Sequence, residues 1–174
     1  MPIAAMVDVY TALWTAGEVH GITDYGSFAM NVMRMEKGFK GAGELTNEVT
    51  LADADVLRFA RTDKDYLGGD KTLNTDMAWV CASLAIEPDG KIDGHGGEAI
   101  LLDGEAVGST ASVAYSPTVG KILAFAYIKP NAAAGTELQV FIHGQPRIGR
   151  VLGEPAYDPQ SLLPRMDVIV EAAE

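Results

Sequence analysis

Between Phe28 and Lys40 the apolar run Phe28-Ala29-Met30-Asn31-Val32-Met33 leads straight into Arg34-Met35-Glu36-Lys37-Gly38-Phe39-Lys40, so four formal charges end an otherwise apolar segment. Charges in such surroundings need partners. If the segment from Phe28 to Gly38 is an extended strand, side chains alternate faces. Arg34 and Glu36 then share one face with Val32, while Met33, Met35 and Lys37 share the other. A carboxylate fixed in this way is a good acceptor. It can serve Arg34 as a structural ion pair at the strand end, another protein donor, or the N–H edge of a flat heterocyclic ligand.

Other reactive constellations are weaker. His20, His95 and His143 each stand beside glycine in a separate loop, and none has a second ligand at metal-binding spacing, so no metal site is expected. No Gly-x-Ser-x-Gly elbow exposes a serine nucleophile, and no Gly-x-Gly-x-x-Gly follows a strand to hold a dinucleotide. Gly68-Gly69-Asp70-Lys71-Thr72 lacks the spacing of a phosphate loop and reads as a surface turn. Gly94-His95-Gly96-Gly97 either brings backbone N–H groups to a ligand or forms an ordinary loop between strands.

The elements that must position Glu36 follow from periodicity. Ile3, Met6, Val7, Tyr10, Leu13 and Trp14 recur at helical spacing, which predicts a helix over 2–16 with Gly17 as its left-handed stop. Thr50 and Asp53 resemble a capping box and, with Leu51, Ala54 and Leu57, predict a second helix of about ten residues ending near Ala60. Residues 63–73 read as a loop with one helical turn. From Met77 the pattern changes to short apolar runs at 78–86, 98–102, 105–115, 122–128, 137–143 and 147–152. Turn signals such as Asp89-Gly90, Asp103-Gly104, Ser116-Pro117 and Gly144-Gln145 separate them. The expected fold is α+β, mainly β: a short N-terminal lobe of helix and strand over 1–76, then a six-stranded antiparallel Greek-key barrel over 77–174. Met166-Asp167-Val168-Ile169-Val170 adds a β-rich tail.

Composition bounds the function. The chain has 174 residues, is 48% hydrophobic and can bury a real core. A net charge of −11, with 13 scattered Lys and Arg, repels a phosphate backbone and argues against nucleic acid. No apolar stretch approaches a membrane span, and the N-terminus lacks the pattern of a secretory signal. The lone Cys81, inside an apolar run, rules out an intrachain disulfide and suits a reducing, cytoplasmic setting.

Several stretches occur together in one order: Leu13-Trp14 through Gly26, Arg34-Met35-Glu36-Lys37-Gly38, Gly43-Glu44-Leu45-Thr46-Asn47-Glu48-Val49-Thr50 and Asp63-Lys64-Asp65-Tyr66-Leu67-Gly68. Asp103-Gly104, Val107-Gly108, Tyr115-Ser116-Pro117, Leu123 through Ile128, Gly135-Thr136 and Tyr157-Asp158-Pro159 continue the series. This composite resembles the C-terminal part of the folate-binding region of dimethylglycine and sarcosine dehydrogenases, which is related to the aminomethyltransferase (T-protein) of the glycine cleavage system.

The resemblance implies a tetrahydrofolate site that receives a one-carbon unit from an oxidised N-methylamine. Glu36 matches the family's pterin-binding glutamate. Met35, Lys37 and Phe28 would line the pocket, with Phe28 standing where the dehydrogenases tend to carry tyrosine. Lys64 falls near a basic position that helps hold the folate. Ala42 stands where tryptophan is common and Asp55 where the T-protein type has glycine. No catalytic residue is expected within this chain, because the family's catalytic aspartate and its flavin region belong to sequence upstream. The expected partners are a small-molecule folate and a missing N-terminal lobe or partner chain, with exposed apolar surface and self-association of the isolated chain. A stand-alone, non-catalytic binding or scaffolding module with the same barrel is the alternative. A T-protein-like transferase acting on a lipoyl carrier is the enzymatic runner-up.

Overall fold

The structure is a computed structural model that describes residues 2–61, 63–73, 76–90 and 94–165. By contacts the chain divides into two units, Met1–Met30 and Asn31–Glu174. In the first, a 3-10 turn (Ile3–Ala5) leads into helix α1 (Met6–Gly17). Gly17 does not stop the helix by a left-handed turn as expected. The chain continues through a second 3-10 turn, Glu18–His20, and Gly21 takes the left-handed conformation at φ +69°. None of the described residues of this unit is buried, and Ile3, Val7, Leu13, Val19 and Phe28 present apolar side chains to solvent.

The predicted strand at 28–38 is a helix, α2 (Ser27–Glu36). The i, i+3, i+4 spacing of Val32, Met35 and Glu36 turns these three inward, whereas alternation would have separated Met35 from its neighbours. Ala29, Met30, Met33 and Met35 are good helix formers. The end falls where expected, at Gly38 with φ +72°. There the N–H of Gly38 donates to the Met35 carbonyl (3.1 Å) and that of Phe39 to the Arg34 carbonyl (2.7 Å), the paired closure that glycine permits after a helix.

The helix expected over 50–60 is also absent. Thr50 and Asp53 do make reciprocal bonds, Thr50 N–H to Asp53 Oδ2 at 3.1 Å and Asp53 N–H to Thr50 Oγ1 at 3.0 Å. Only one turn forms, because Asp55 adopts φ +54° and the other Asp53 oxygen accepts the Trp79 N–H at 3.0 Å. A 3-10 turn (Leu57–Phe59) and the short helix α3 (Gly69–Leu73) follow.

Six strands close the barrel: β1 (Val80–Ile86), β2 (Ala99–Leu102), β3 (Glu105–Ser116), β4 (Lys121–Ile128), β5 (Glu137–Ile142) and β6 (Gln145–Leu152). All pair antiparallel around the ring β1-β4-β3-β2-β5-β6, and β1 lies beside β4 as a Greek key requires. Ile122, Ala124, Ala126 and Ile128 join Leu84, Ile86, Ile100 and Val140 in the main core. The intervening Leu123 and Phe125 pack with Met35, Cys81 and Ala114 in a second cluster, so β4 is buried on both faces and its apolar run is unbroken. Gly108 sits where a Cβ would lie 2.0 Å from the Tyr127 carbonyl oxygen, so only glycine permits that approach of β3 to β4. The Met166–Val170 tail lies outside the described residues.

Candidate functional site

The end of α2 is held by the barrel and the segment that follows β6 through three consecutive residues. Met35 is buried in the cluster with Cys81, Leu123 and Phe125. Glu36, 5% exposed, accepts a hydrogen bond at Oε1 from the Ser116 hydroxyl at 2.5 Å, and its carbonyl accepts from the Tyr157 N–H at 3.0 Å. The Lys37 amine donates to the Asp158 carbonyl at 2.5 Å, to Asp158 Oδ2 at 3.2 Å and to Ser161 Oγ at 3.1 Å. Burial pushes the Asp158 carboxyl up, but the Leu162 N–H and Lys37 outweigh it and hold it below the usual carboxylate range.

Arg34 does not pair with Glu36. Its Nη1 donates to Glu44 Oε2 at 2.8 Å and its Nη2 to Ser112 Oγ at 3.0 Å, while Asn31 Oδ1 accepts from Nε at 2.9 Å. The Glu44 carboxylate also accepts the Gly41 N–H at 2.7 Å and the Ser112 hydroxyl. Tyr127 donates to the Glu44 carbonyl at 2.7 Å, and burial pushes that phenol up. With Arg34 taken elsewhere, Glu36 Oε2 accepts no hydrogen bond from a described residue.

The sequence-predicted residues therefore fall in three places. Met35 and Glu36 meet the barrel, and Lys37 meets the segment that follows β6. Phe28, 81% exposed, stands in the first unit. Lys64 lines a cleft of about 350 Å³ with Leu51, Arg61, Tyr66 and Thr72, where the Tyr66 hydroxyl is buried without a partner. Glu36 lines none of the main clefts among the described residues, neither this one nor the apolar one of about 500 Å³ between Phe39, Leu45, Val56 and Phe59. A cleft of about 430 Å³ includes Lys40, Arg58 and Cys81, whose thiol burial pushes up to about 11. Ser116, Ser112 and Glu44 escaped the sequence reading as partners. Only the Ser116-Pro117 turn signal hinted at one of them.

Elsewhere the candidate ligand cradle at Gly94–Gly97 is filled from within, because Glu98 accepts the N–H groups of His95 (2.6 Å) and Gly96 (3.0 Å). The rings of His95 and His143 meet edge to face at 5.5 Å. Among the described residues no group of three His, Cys, Asp or Glu is placed to hold a metal ion, and no helix is long and apolar enough to cross a membrane.

A closed six-stranded barrel that, with the segment after β6, holds a preceding helix by a glutamate and a lysine defines a class that comparison identifies. Residues 80–158 match the glycine cleavage T-protein C-terminal barrel domain, and residues 1–64 match the GCVT N-terminal domain. The chain belongs to this glycine cleavage T-protein family. It is 31% identical to human mitochondrial dimethylglycine dehydrogenase over 158 residues, which is 86% of this chain and 18% of that protein. It is 32% identical to the aminomethyltransferase of Streptomyces coelicolor over 165 residues, 88% of this chain and 44% of that protein. The chain thus spans less than half the length of these relatives. The fold matches that of glycine cleavage system aminomethyltransferase T from Bartonella henselae with a TM-score of 0.65 at 17% identity, over 74% of this chain and 38% of that one.

Proposed function

We propose that this chain is the C-terminal portion of a folate-dependent one-carbon transfer protein of the dimethylglycine dehydrogenase and aminomethyltransferase type. In this reading residues 1–76 are the end of the folate-binding lobe and residues 77–174 its barrel domain. Upstream sequence or a partner chain completes the site. The solvent-facing Ile3, Val7, Leu13 and Phe28 support that reading, since apolar side chains in such number suit a covering surface.

The observation that carries the proposal is Glu36, held through Oε1 while no described residue donates to Oε2. A fixed carboxylate accepts from a pterin ring N–H and its exocyclic amine, which orients the ring without moving a proton. Lys64, lining the cleft it shares with Tyr66, offers a cation to the folate's carboxylates.

Calorimetric titration of the chain, completed by its upstream lobe or partner chain, with 5-formyltetrahydrofolate carried to millimolar ligand tests this. Saturable binding is expected, weakened about tenfold or more in Glu36→Gln, the loss of a hydrogen bond to a charged group. No saturation, or equal affinity in Glu36→Gln, overturns it.

A further inference from the structure

We infer that Ser116 is a positioning residue for ligand recognition by Glu36: the barrel, through one hydroxyl, sets the direction of the carboxylate carried by α2. The inference rests on the folate reading of Glu36 and deepens it.

Ser116 ends β3 and is fully buried. Its hydroxyl has one proton. The Val119 N–H donates to Oγ at 3.0 Å, and the turn that holds Val119 there is closed by the Gly120 N–H on the Ser116 carbonyl at 2.8 Å. With that N–H occupying one side of the oxygen, the proton is directed to Glu36 Oε1 at 2.5 Å, the short separation of a charge-assisted bond. A second contact from the barrel side, the Tyr157 N–H on the Glu36 carbonyl at 3.0 Å, fixes the backbone below the same side chain. Glu36 is thus anchored at main chain and at one carboxylate oxygen, and no described residue donates to the other.

A glutamate side chain free to rotate must be ordered when a ligand binds. One already held loses little further freedom and presents its oxygen in one direction. Eighty positions separate the two residues, so the hydroxyl is supplied by a different part of the fold from the carboxylate it aims.

The test titrates the protein completed by its upstream lobe or partner chain with 5-formyltetrahydrofolate and with its counterpart lacking the 2-amino group, in wild type, Ser116→Ala, Ser116→Thr and Glu36→Gln. Ser116→Ala should weaken folate about tenfold, change affinity for the desamino analogue far less, and be rescued by Ser116→Thr. Equal weakening of both ligands assigns Ser116 a purely structural role and overturns the inference. So does unchanged folate affinity in Ser116→Ala while Glu36→Gln loses it, an outcome that leaves the folate reading standing. Glu36→Gln binding like wild type, or a wild type that does not bind, overturns the folate reading and this inference with it. Should Ser116→Ala not fold, Ser116→Cys keeps the volume and supplies a weaker donor. It should lie between wild type and Glu36→Gln for folate alone, and wild-type affinity there overturns the inference.

Discussion

Arg34 donates to Glu44 at 2.8 Å across ten residues of chain, and the carboxylate it meets is fully buried. The pair is held by Gly41, Asn31 and Ser112, so each charge is surrounded by further bonds, and the guanidinium also lies 5.6 Å from the centre of the Phe125 ring. Removing one partner strands the other. Glu44→Ala should destabilise the chain by about 3 kcal/mol, the lower end for a broken buried pair because Arg34 keeps 22% of its side chain exposed. Urea unfolding checks this through a lowered midpoint at unchanged slope.

Asp53 links the Thr50 turn to the start of β1, accepting from the Trp79 N–H and from the Thr50 hydroxyl at 2.7 Å. Burial pushes its carboxyl up. The Trp79 N–H, the Thr50 hydroxyl and the Thr50 N–H outweigh that and hold it below the usual range. A depressed folded value means that Asp53 contributes stability above its unfolded value, about 3.9, and that this is lost as pH falls through the folded value. Thermal unfolding followed from pH 6 down to the acid limit should show a shallower loss below about pH 4 in Asp53→Asn than in wild type.

The barrel was legible because its signals are redundant. Ile122 through Ile128 is continuously apolar, and Asp103-Gly104 and His143-Gly144 take the positive φ of the two-residue hairpins that join β2 to β3 and β5 to β6. Helix α2 was not legible because hydrophobicity and burial disagree along it. Phe28, Met30 and Met33 are apolar yet exposed, which hides the Val32, Met35, Glu36 spacing that defines the inward face. Glu36 stood out through its charge. The partner of Arg34 could not be read locally, since a turn at Gly41 brings Glu44 back to it, and Ser116 is joined to Glu36 only by the closing of β3 onto α2.

Cys81 is 3% exposed and its thiol is pushed up to about 11 by burial. At pH 8 almost none of it is thiolate, the reactive form. A chromogenic disulfide reagent should therefore leave the native chain unmodified over the time in which it titrates one thiol per chain in urea. Rapid reaction of the native chain would show that β1 opens readily beside the Lys40 cleft.

Arg147 is the most costly residue of the barrel. It points inward from β6 opposite Val140, 7% exposed, and neither its Nε nor its Nη1 has a hydrogen-bond partner among the described residues. Among the described residues the carboxylate paired with it, on the exposed Asp89, lies 3.9 Å from Nη2, beyond hydrogen-bonding distance. Unmade bonds to a buried cation cost about 1–3 kcal/mol, more than the stem of the side chain recovers by packing against the core. Arg147→Met keeps the stem and removes the unpaired N–H groups. It should raise the unfolding free energy by about 1–3 kcal/mol, read as a higher urea midpoint, and Arg147→Ala should gain less because it also leaves a cavity. A lower midpoint in Arg147→Met would mean that the guanidinium is satisfied in solution.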